Sequence, residues 1–393
     1  MPSRLNRLIA TAVALLAANA FAGKTAERPA IEKVVNTTIH SVMAENDVPG
    51  MAVAITFGGK RQFFQYGVAS KETGTKVTKN TLFEIGSVSK VFTATLVAYA
   101  HARGNLSLAD SAGRYLDELS GSSFDAISLL ELCTFTAGGL PLQFPASVTN
   151  SATMISYFKA WRPEFPPGSR RLYSNPSIGL CGHLAAKSIG QPFDTLMEKT
   201  VFPAFGLRNT YLRIPNERMN DYAWGYAGDG KAIRVSPGVL DSEAYGVKTS
   251  AADLIRFAEA QIDSKALDKD FSEAVAATQS AYFDTGDMRQ GLGWEMYTYP
   301  TSLRRLLDGN SPRMTYEAAP VTRLVAPRTS RQDMLFNKTG STNGFGAYVA
   351  FIPARRIGIV MLANKNYPVA ARVKAAHRIL AELDRAIVSE ESR

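Results

Sequence analysis

The sequence predicts an α/β protein of the α+β kind, with one antiparallel sheet built from both ends of the chain. Strand-like segments occur near the start and near the end, and helices with long loops fill the middle. Amphipathic helices precede the first strands and follow the last ones. The simplest arrangement is a sheet flanked by the terminal helices, with a mostly helical lobe inserted and a site at the interface between lobes.

The N-terminal elements begin with an amphipathic helix over Glu27–Met43. Two β-rich runs follow, Met51–Phe57 and Gln62–Val68. The Gly58-Gly59 pair between these runs is typical of a hairpin turn, so the two strands are predicted to be antiparallel neighbours.

The middle of the chain, 85–285, is predicted to form the helical lobe, and 23–84 with 286–393 the α/β lobe. A helix begins at Ser87, because apolar residues then recur at helical spacing as far as the Arg103-Gly104 stop.

Strand character returns over Met334–Asn337, Phe345–Ile352 and Ile357–Ala363. Pro368 then opens a closing helix, since a proline is tolerated in the first helical turn and apolar residues follow on one face. These three strands are predicted to complete the sheet that the N-terminal hairpin begins.

The N-terminus has the pattern of a secretory signal peptide over residues 1–22. Arg4 and Arg7 precede the apolar run Leu8–Ala18, and Ala20-Phe21-Ala22 is a small-x-small cleavage site. The run is too short to span a bilayer, so no membrane anchor is expected and the protein is predicted to be exported to the periplasm.

Composition and charge exclude several classes of protein. The 393 residues carry a net charge of +9, but the basic residues are scattered and form no stripe interleaved with aromatic residues. Nucleic-acid binding is therefore disfavoured. The four histidines are far apart and lack metal-ligand spacing, so a metal-dependent hydrolase is disfavoured. No organic cofactor is expected either.

The two cysteines, Cys133 and Cys181, lie in apolar segments with helical character. Export to an oxidising compartment would permit one disulfide bond between them. Because buried cysteines commonly pack as small apolar side chains, free thiols are the favoured interpretation.

The first motif that could take part in catalysis is Ser87-Val-Ser-Lys90, at the predicted start of a helix. A serine hydroxyl is a weak nucleophile unless a nearby base takes its proton. Residues three apart share a helix face, so Lys90 is placed beside Ser87 and is a candidate base if its pKa is lowered.

The second motif is Tyr173-Ser-Asn175, between a loop rich in Pro and Gly and an apolar helix. A phenol between two ammonium groups, those of Lys90 and Lys338, would be favoured as the phenolate and could take part in proton transfer. Asn175 offers both a donor and an acceptor to an amide of the substrate.

The third motif is Lys338-Thr339-Gly340-Ser341, on a predicted strand. Lys338 and Thr339 suit a substrate carboxylate, and Gly340 permits close approach of the backbone. The backbone N–H groups of Ser341 and Ser87 are candidates for an oxyanion hole.

With these motifs, the sequence resembles the class C serine β-lactamases over nearly all of the chain that follows the signal peptide. The resemblance implies the serine β-lactamase/DD-peptidase-like fold, a monomer and a β-lactam substrate, with cephalosporins preferred. It is carried by six strings, Phe83–Lys90, Thr136–Gln143, Tyr173–Leu180, Glu243–Gly246, Gly291–Glu295 and Lys338–Gly346.

The resemblance implies roles for individual residues. Ser87 would be acylated, Lys90 and Tyr173 would share proton transfer, and Lys338 would support them electrostatically. The remaining expectations concern binding: Gln143 and Asn175 at the acylamino side chain, Tyr245 in the pocket wall, and Thr339 and Arg372 near the substrate carboxylate. The sequence departs from the family at Val369, where the family often carries an Asn near that carboxylate.

Two alternatives remain at this point. A DD-peptidase or esterase of the same fold would use the same nucleophile, although such peptidases usually carry a Ser where Tyr173 stands and such esterases commonly lose the Lys-Thr-Gly motif. A non-catalytic sensor of β-lactams or cell-wall peptides would stay trapped as its acyl-enzyme.

Overall fold

The computed structural model describes residues 30–324 and 331–391, so the predicted signal peptide lies outside the described residues. In chain order the strands are β1 (Gly50–Phe57), β2 (Lys60–Gly67), β3 (Phe83–Glu84), β4 (Arg170–Arg171), β5 (Thr210–Tyr211), β6 (Gly225–Tyr226), β7 (Ala232–Ile233), β8 (Lys248–Thr249), β9 (Phe283–Asp284), β10 (Arg289–Gln290), β11 (Glu295–Thr298), β12 (Ala319–Pro320), β13 (Thr322–Arg323), β14 (Met334–Ser341), β15 (Gly346–Ile352) and β16 (Ile357–Ala363).

The helices surround these strands and form most of the middle of the chain. In chain order they are α1 (30–45), α2 (Ser89–Ala102), α3 (Leu129–Cys133), α4 (Ser151–Ala160), α5 (Asn175–Ile189), α6 (Phe193–Leu196), α7 (Phe202–Ala204), α8 (Asp241–Ala244), α9 (Ala251–Ile262), α10 (Lys269–Thr278), α11 (Leu303–Gly309), α12 (Pro312–Tyr316) and α13 (Val369–Glu391).

A nine-stranded sheet joins the two ends of the chain, in the order β13-β9-β10-β11-β14-β15-β16-β1-β2. The junction is the antiparallel pair of β1 and β16, in which Ile55 lies opposite Ile359. The predicted α+β class and the antiparallel sheet built from both termini are therefore confirmed.

The strand predictions are confirmed within two residues for β1, β2, β15 and β16, and the strand predicted over Met334–Asn337 continues four residues further, to Ser341. The remaining four strands of the sheet are only two or four residues long and were not predicted. A segment of two residues has too little alternation of apolar and polar side chains to be recognised in a sequence. The helix predicted from Glu27 is described from residue 30 and continues to residue 45.

Both faces of the sheet are buried around strand β16. All seven residues of β16 are buried, which explains its uninterrupted apolar sequence. On one face β16 packs with the terminal helices α1 and α13, through residues such as Val35 and Leu380. On the other face it packs with α2 and α9, through Val360, Phe92 and Phe257. The inserted helices thus rest on the face of the sheet next to the predicted nucleophile.

Cys133 and Cys181 form a disulfide bond, so the expectation of two free thiols is wrong. Cys133 ends α3 and Cys181 lies in the middle of α5, and these two helices pack against each other. The sequence placed both thiols in apolar helical segments but gave no information on the packing of the two helices.

Removal of this disulfide is expected to destabilise the protein without changing its site. The bond links residues 48 positions apart, and closure of a loop of that length is worth about 2 to 4 kcal/mol in the free energy of unfolding. Urea unfolding of the Cys133→Ala/Cys181→Ala variant, beside the native protein with and without reductant, measures this loss. If the urea concentration at the unfolding midpoint of the native protein were the same with and without reductant, the prediction would be contradicted.

Candidate active site

The predicted nucleophile, Ser87, lies in a turn of 3-10 helix, Gly86–Val88, that leads into α2. This turn touches the backbone of β14. A Cβ atom on Gly340 would lie 1.9 Å from the carbonyl oxygen of Ile85, and one on Gly86 would lie 2.4 Å from that of Ser341. Glycine at both positions therefore allows the first and third motifs to meet backbone to backbone.

Lys90 is fully buried one helical turn after Ser87. Its ammonium group donates hydrogen bonds to Ser87 Oγ at 2.9 Å and to the carbonyl oxygen of Ala244 at 2.7 Å. Burial lowers the pKa of Lys90 to about 8, because the charged form loses its hydration. A lysine with this pKa, in contact with the hydroxyl, can accept and return a proton near neutral pH.

Tyr173 lies between two ammonium groups. The Nζ atoms of Lys90 and Lys338 are each 5.1 Å from the centre of its ring. Burial alone would raise the pKa of Tyr173, but the charges of Lys338 and Lys90 outweigh this effect and the pKa is lowered. The buried hydroxyl has no hydrogen-bond partner among the described residues.

Lys338 belongs to a buried ionic cluster that the sequence did not reveal. Its Nζ atom donates to Glu295 Oε1 at 3.1 Å, and Arg171 Nη2 lies 3.8 Å from the same oxygen. Burial opposes the charge of Lys338, but Glu295 and Tyr173 stabilise it and its pKa is raised. Lys338 therefore remains a cation, while Lys90 is the lysine that can lose a proton.

A cavity of about 1040 Å³ opens over these groups. Nine of the eleven residues predicted from the sequence line it: Ser87, Gln143, Tyr173, Asn175, Tyr245, Lys338, Thr339, Gly340 and Ser341. Lys90 lies behind Ser87, within the protein. The structure thus brings the three motifs to one cavity.

Asn175 begins α5 and lines this cavity. The Ser174 side chain caps the helix by accepting a hydrogen bond from the Ser177 N–H at 3.1 Å. Asn175 Oδ1 is buried and without a hydrogen-bond partner among the described residues. The amide can therefore bind a polar group of a ligand.

Tyr245 reaches the cavity from the residue after α8. Helix α2 holds this segment, because Thr93 donates to the Glu243 carbonyl at 2.6 Å and Lys90 donates to that of Ala244. The wall that carries Tyr245 and the side chain of Lys90 are thus parts of one hydrogen-bonded unit.

Arg372 does not line the cavity. It is fully buried near the start of α13, where it donates to the Gly340 carbonyl at 2.7 Å, to Ser341 Oγ at 3.0 Å and to Asn366 Oδ1 at 2.7 Å. The guanidinium group therefore fastens α13 to the end of β14, and the neighbouring Val369 lies at the cavity wall.

Glu84 is a further residue that sequence reasoning missed. Its carboxylate accepts hydrogen bonds from the Tyr222 hydroxyl at 2.5 Å, from the Val235 N–H at 2.7 Å and from the Thr342 hydroxyl at 2.5 Å. It ties the loop before α8 to the end of β14. The sequence signal that could have identified Glu84 is its position in the string Phe83–Lys90, three residues before Ser87.

The arrangement has the parts needed for acyl transfer: a nucleophile, a base with a lowered pKa, a phenol poised to lose its proton and a fixed cation. In the part of the chain that the structure describes, no group of three or more His, Cys, Asp or Glu side chains could hold a metal ion. Across 30–324 and 331–391, no helix is long and apolar enough to cross a membrane.

The comparisons with known proteins agree with this chemistry. The family model described as Beta-lactamase matches residues 35–384. A β-lactamase from Pseudomonas fluorescens is 54% identical, over 90% of this chain and 99% of the relative.

Two solved structures share the fold. A β-lactamase/D-alanine carboxypeptidase from Pseudomonas syringae is 47% identical with a TM-score of 0.88, and covers 90% of this chain and 99% of its own. A class C β-lactamase in complex with cefoxitin is 43% identical with a TM-score of 0.86, with the same shares covered. The chain therefore belongs to the β-lactamase family, in its class C serine branch.

Proposed function

We propose that this protein opens the β-lactam ring of cephalosporins, and of penicillins more slowly, through an acyl-enzyme on Ser87. The observation that carries the proposal is the contact between Ser87 and a buried Lys90 of lowered pKa, beside a phenol held between two cations. Hydrolysis of these antibiotics would protect the cell that makes the protein.

Acylation needs one proton to move from the nucleophile to the leaving nitrogen. Ser87 Oγ attacks the carbonyl carbon while its proton passes to Lys90 or Tyr173. The C–N bond of the ring then breaks, and the nitrogen receives that proton from the same pair of residues. Lys338 stays protonated and favours the phenolate form of Tyr173 throughout.

Deacylation follows the same steps as acylation, with water as the nucleophile. A water molecule gives a proton to Tyr173 as its oxygen attacks the ester carbon, and the Ser87–acyl bond breaks. The proton then returns to Ser87 Oγ. The N–H groups of Ser87 and Ser341 would stabilise the oxyanion in both steps.

Substrate binding is assigned to the other lining residues. Gln143 and Asn175 would bind the acylamino side chain, and Tyr245 would pack beside it. Thr339 and Lys338 would bind the carboxylate on the fused ring. Arg372 would support this carboxylate indirectly, through the backbone of Gly340 and the hydroxyl of Ser341.

Steady-state hydrolysis of a chromogenic cephalosporin and of a penicillin, by the protein without residues 1–22, tests the proposal. Fast turnover with a larger kcat on the cephalosporin is expected. A single stoichiometric burst without turnover would contradict it and favour a sensor.

The name of the Pseudomonas syringae structure motivates a second candidate, D-alanine carboxypeptidase activity. The same Ser87 would be acylated by a peptide that ends in D-Ala-D-Ala and would release D-alanine. Release of D-alanine with a kcat/KM comparable to that for the cephalosporin would favour this candidate. We expect a much smaller value, because peptidases of this fold usually carry a Ser where Tyr173 stands.

Export is proposed from residues 1–22, with the periplasm as the site of action and a monomer as the active form. Fractionation of the expressing cells and light scattering of the purified protein test both points. Activity confined to the cytoplasm, or a stable dimer, would contradict them.

The acid limb of the pH profile is expected to move in opposite directions in two variants. Tyr173 must be deprotonated to accept a proton, so kcat/KM falls as the pH drops below its pKa. Lys338 lowers the pKa of Tyr173, so Lys338→Met moves the limb to higher pH. Glu295 raises that pKa, so Glu295→Gln moves the limb to lower pH.

Profiles of kcat/KM from pH 5 to 10 measure both shifts. Because both variants also lose activity, the midpoint of the acid limb is compared between proteins and the height of the profile is not. Glu273→Gln, on the surface of α10, serves as a control that leaves the limb in place. Shifts in the same direction for Lys338→Met and Glu295→Gln would contradict the electrostatic account of Tyr173.

A further inference from the structure

The cavity wall holds more positive charge than its internal ion pairs neutralise. Its lining residues include four cations and one anion: Arg171, Arg234, Lys338, Lys374 and Glu295. The contacts of each cation decide whether its position is fixed by the protein or is free to follow a ligand.

Three of the four cations are held in place by contacts with the protein. Arg171 donates to Gln290 Oε1 at 2.8 Å and to the Met314 carbonyl at 2.7 Å, and Lys338 is paired with Glu295. Arg234 is held against two aromatic rings and two backbone carbonyls of residues 222–224. Glu295 in turn is paired with both Lys338 and Arg171, and it makes no ion pair with Lys374 among the described residues.

Lys374 differs from the other three cations in its exposure and in its lack of polar contacts with the described residues. It is exposed on α13, and it has no hydrogen bond or ion pair among the residues that the structure describes. Ala370 lies one helical turn before it and also lines the cavity, so both residues occupy the face of α13 that looks onto the site. Arg372 lies on the buried face of the same helix and is bound to the end of β14.

The uncharged residues that line the cavity with Lys374 on this side cannot replace its charge. Val369 and Ala370 are apolar, and Asn366 Oδ1 is occupied by Arg372 at 2.7 Å. An anionic group of a ligand near this wall would therefore meet, besides the cations held in place, the exposed ammonium group of Lys374. Such a group acts as a point charge at variable distance and does not require a fixed hydrogen bond.

We infer that Lys374 is a specificity-determining residue that favours β-lactams with a net negative charge over zwitterionic ones. The inference rests on the proposed hydrolase function and names the substrate class that the site prefers. A carboxylate on the fused ring gives a simple cephalosporin one negative charge, whereas a quaternary ammonium substituent on the same ring system cancels it.

The range of the interaction fits the size of the cavity. A sphere of about 1040 Å³ measures roughly 13 Å across, less than the Debye length of about 30 Å at 0.01 M ionic strength. At 0.15 M that length is about 8 Å, so the attraction is largely screened. The preference is therefore expected to be strong at low salt and weak at high salt.

The test compares acylation by an anionic and a zwitterionic cephalosporin in the native protein, Lys374→Met and Lys374→Glu. At 0.01 M ionic strength, the second-order rate constant of acylation by the anionic substrate is expected to fall about twofold in Lys374→Met and about fivefold in Lys374→Glu. The rate constant for the zwitterion is expected to change less than about 1.5-fold, and at 0.3 M salt both losses shrink below about twofold.

Lys33→Glu is the matched control. Lys33 is exposed on α1 and does not line the cavity, so the change in net charge equals that of Lys374→Glu without a charge at the site. Arg378→Glu, one turn further along α13, is expected to give a smaller loss than Lys374→Glu. Both controls are exposed positions that have no role in the chemistry.

The outcomes separate the inference from the proposed function. Losses confined to the anionic substrate and relieved by salt support the inference. Equal losses for both substrates, no loss, or a loss that Lys33→Glu reproduces would overturn it while leaving the hydrolase function intact. A native protein that neither substrate acylates would overturn the proposed function and the inference together.

Discussion

Replacement of Ser87 by Ala is expected to abolish turnover of cephalosporins, with kcat lowered by at least about 10⁴-fold. The variant loses the atom that forms the acyl-enzyme and that accepts the hydrogen bond from Lys90. Steady-state hydrolysis and intact-protein mass spectrometry measure the loss of turnover and of the covalent adduct. Substrate binding should survive, because the other lining residues are unchanged.

The fold of this variant is a necessary control. Ser87 is half-buried and its hydroxyl accepts a hydrogen bond from Lys90, so Ser87→Ala is expected to keep the native unfolding transition within about 1 kcal/mol. Ser89→Ala is a contrasting variant, since Ser89 Oγ accepts a hydrogen bond from the Val247 N–H at 3.0 Å and does not line the cavity. Residual turnover by Ser87→Ala near the native rate would contradict the assignment of the nucleophile.

Replacement of Tyr173 by Phe is expected to lower kcat by about 10² to 10⁴-fold, the usual contribution of a general base. The ring and its packing remain, so the loss reports the hydroxyl alone. That hydroxyl lies between Lys90 and Lys338 and has no described hydrogen-bond partner, which leaves it free for water and substrate. Deacylation should suffer more than acylation, because Lys90 still contacts Ser87 in the variant.

Single-turnover kinetics separate the two steps for Tyr173→Phe. Accumulation of the acyl-enzyme, seen by mass spectrometry within seconds and decaying slowly, is the expected result. Tyr367→Phe is a matched control, since Tyr367 is also buried but does not line the cavity. Unchanged deacylation in Tyr173→Phe would remove Tyr173 from the hydrolytic step.

The sequence predicted the sheet and the motifs because both depend on local patterns. The runs at Met51–Phe57 and Ile357–Ala363 are long and apolar, and each became a strand with nearly the predicted bounds. The string around Ser87 predicted a nucleophile and a lysine on one helix face, and the structure places them 2.9 Å apart. Motif spacing on a helix is a local property and survives folding unchanged.

What the sequence missed depends on contacts between distant segments. Glu295 forms an ion pair with Lys338 from the neighbouring strand, and no local sequence pattern near either residue predicts this pair. The disulfide between Cys133 and Cys181 arises from the packing of α3 on α5. Arg372 was expected near a substrate carboxylate, and only the structure reveals that carbonyl and side-chain oxygens already surround it.

Time-resolved mass spectrometry of the native protein mixed with a cephalosporin tests the central claim most directly. The account predicts a transient adduct with the mass of the substrate or its ring-opened fragment, located on Ser87 by peptide mapping, which disappears as hydrolysed product accumulates. A persistent adduct without product would contradict hydrolytic turnover. Turnover without any adduct on Ser87 would contradict the covalent mechanism itself.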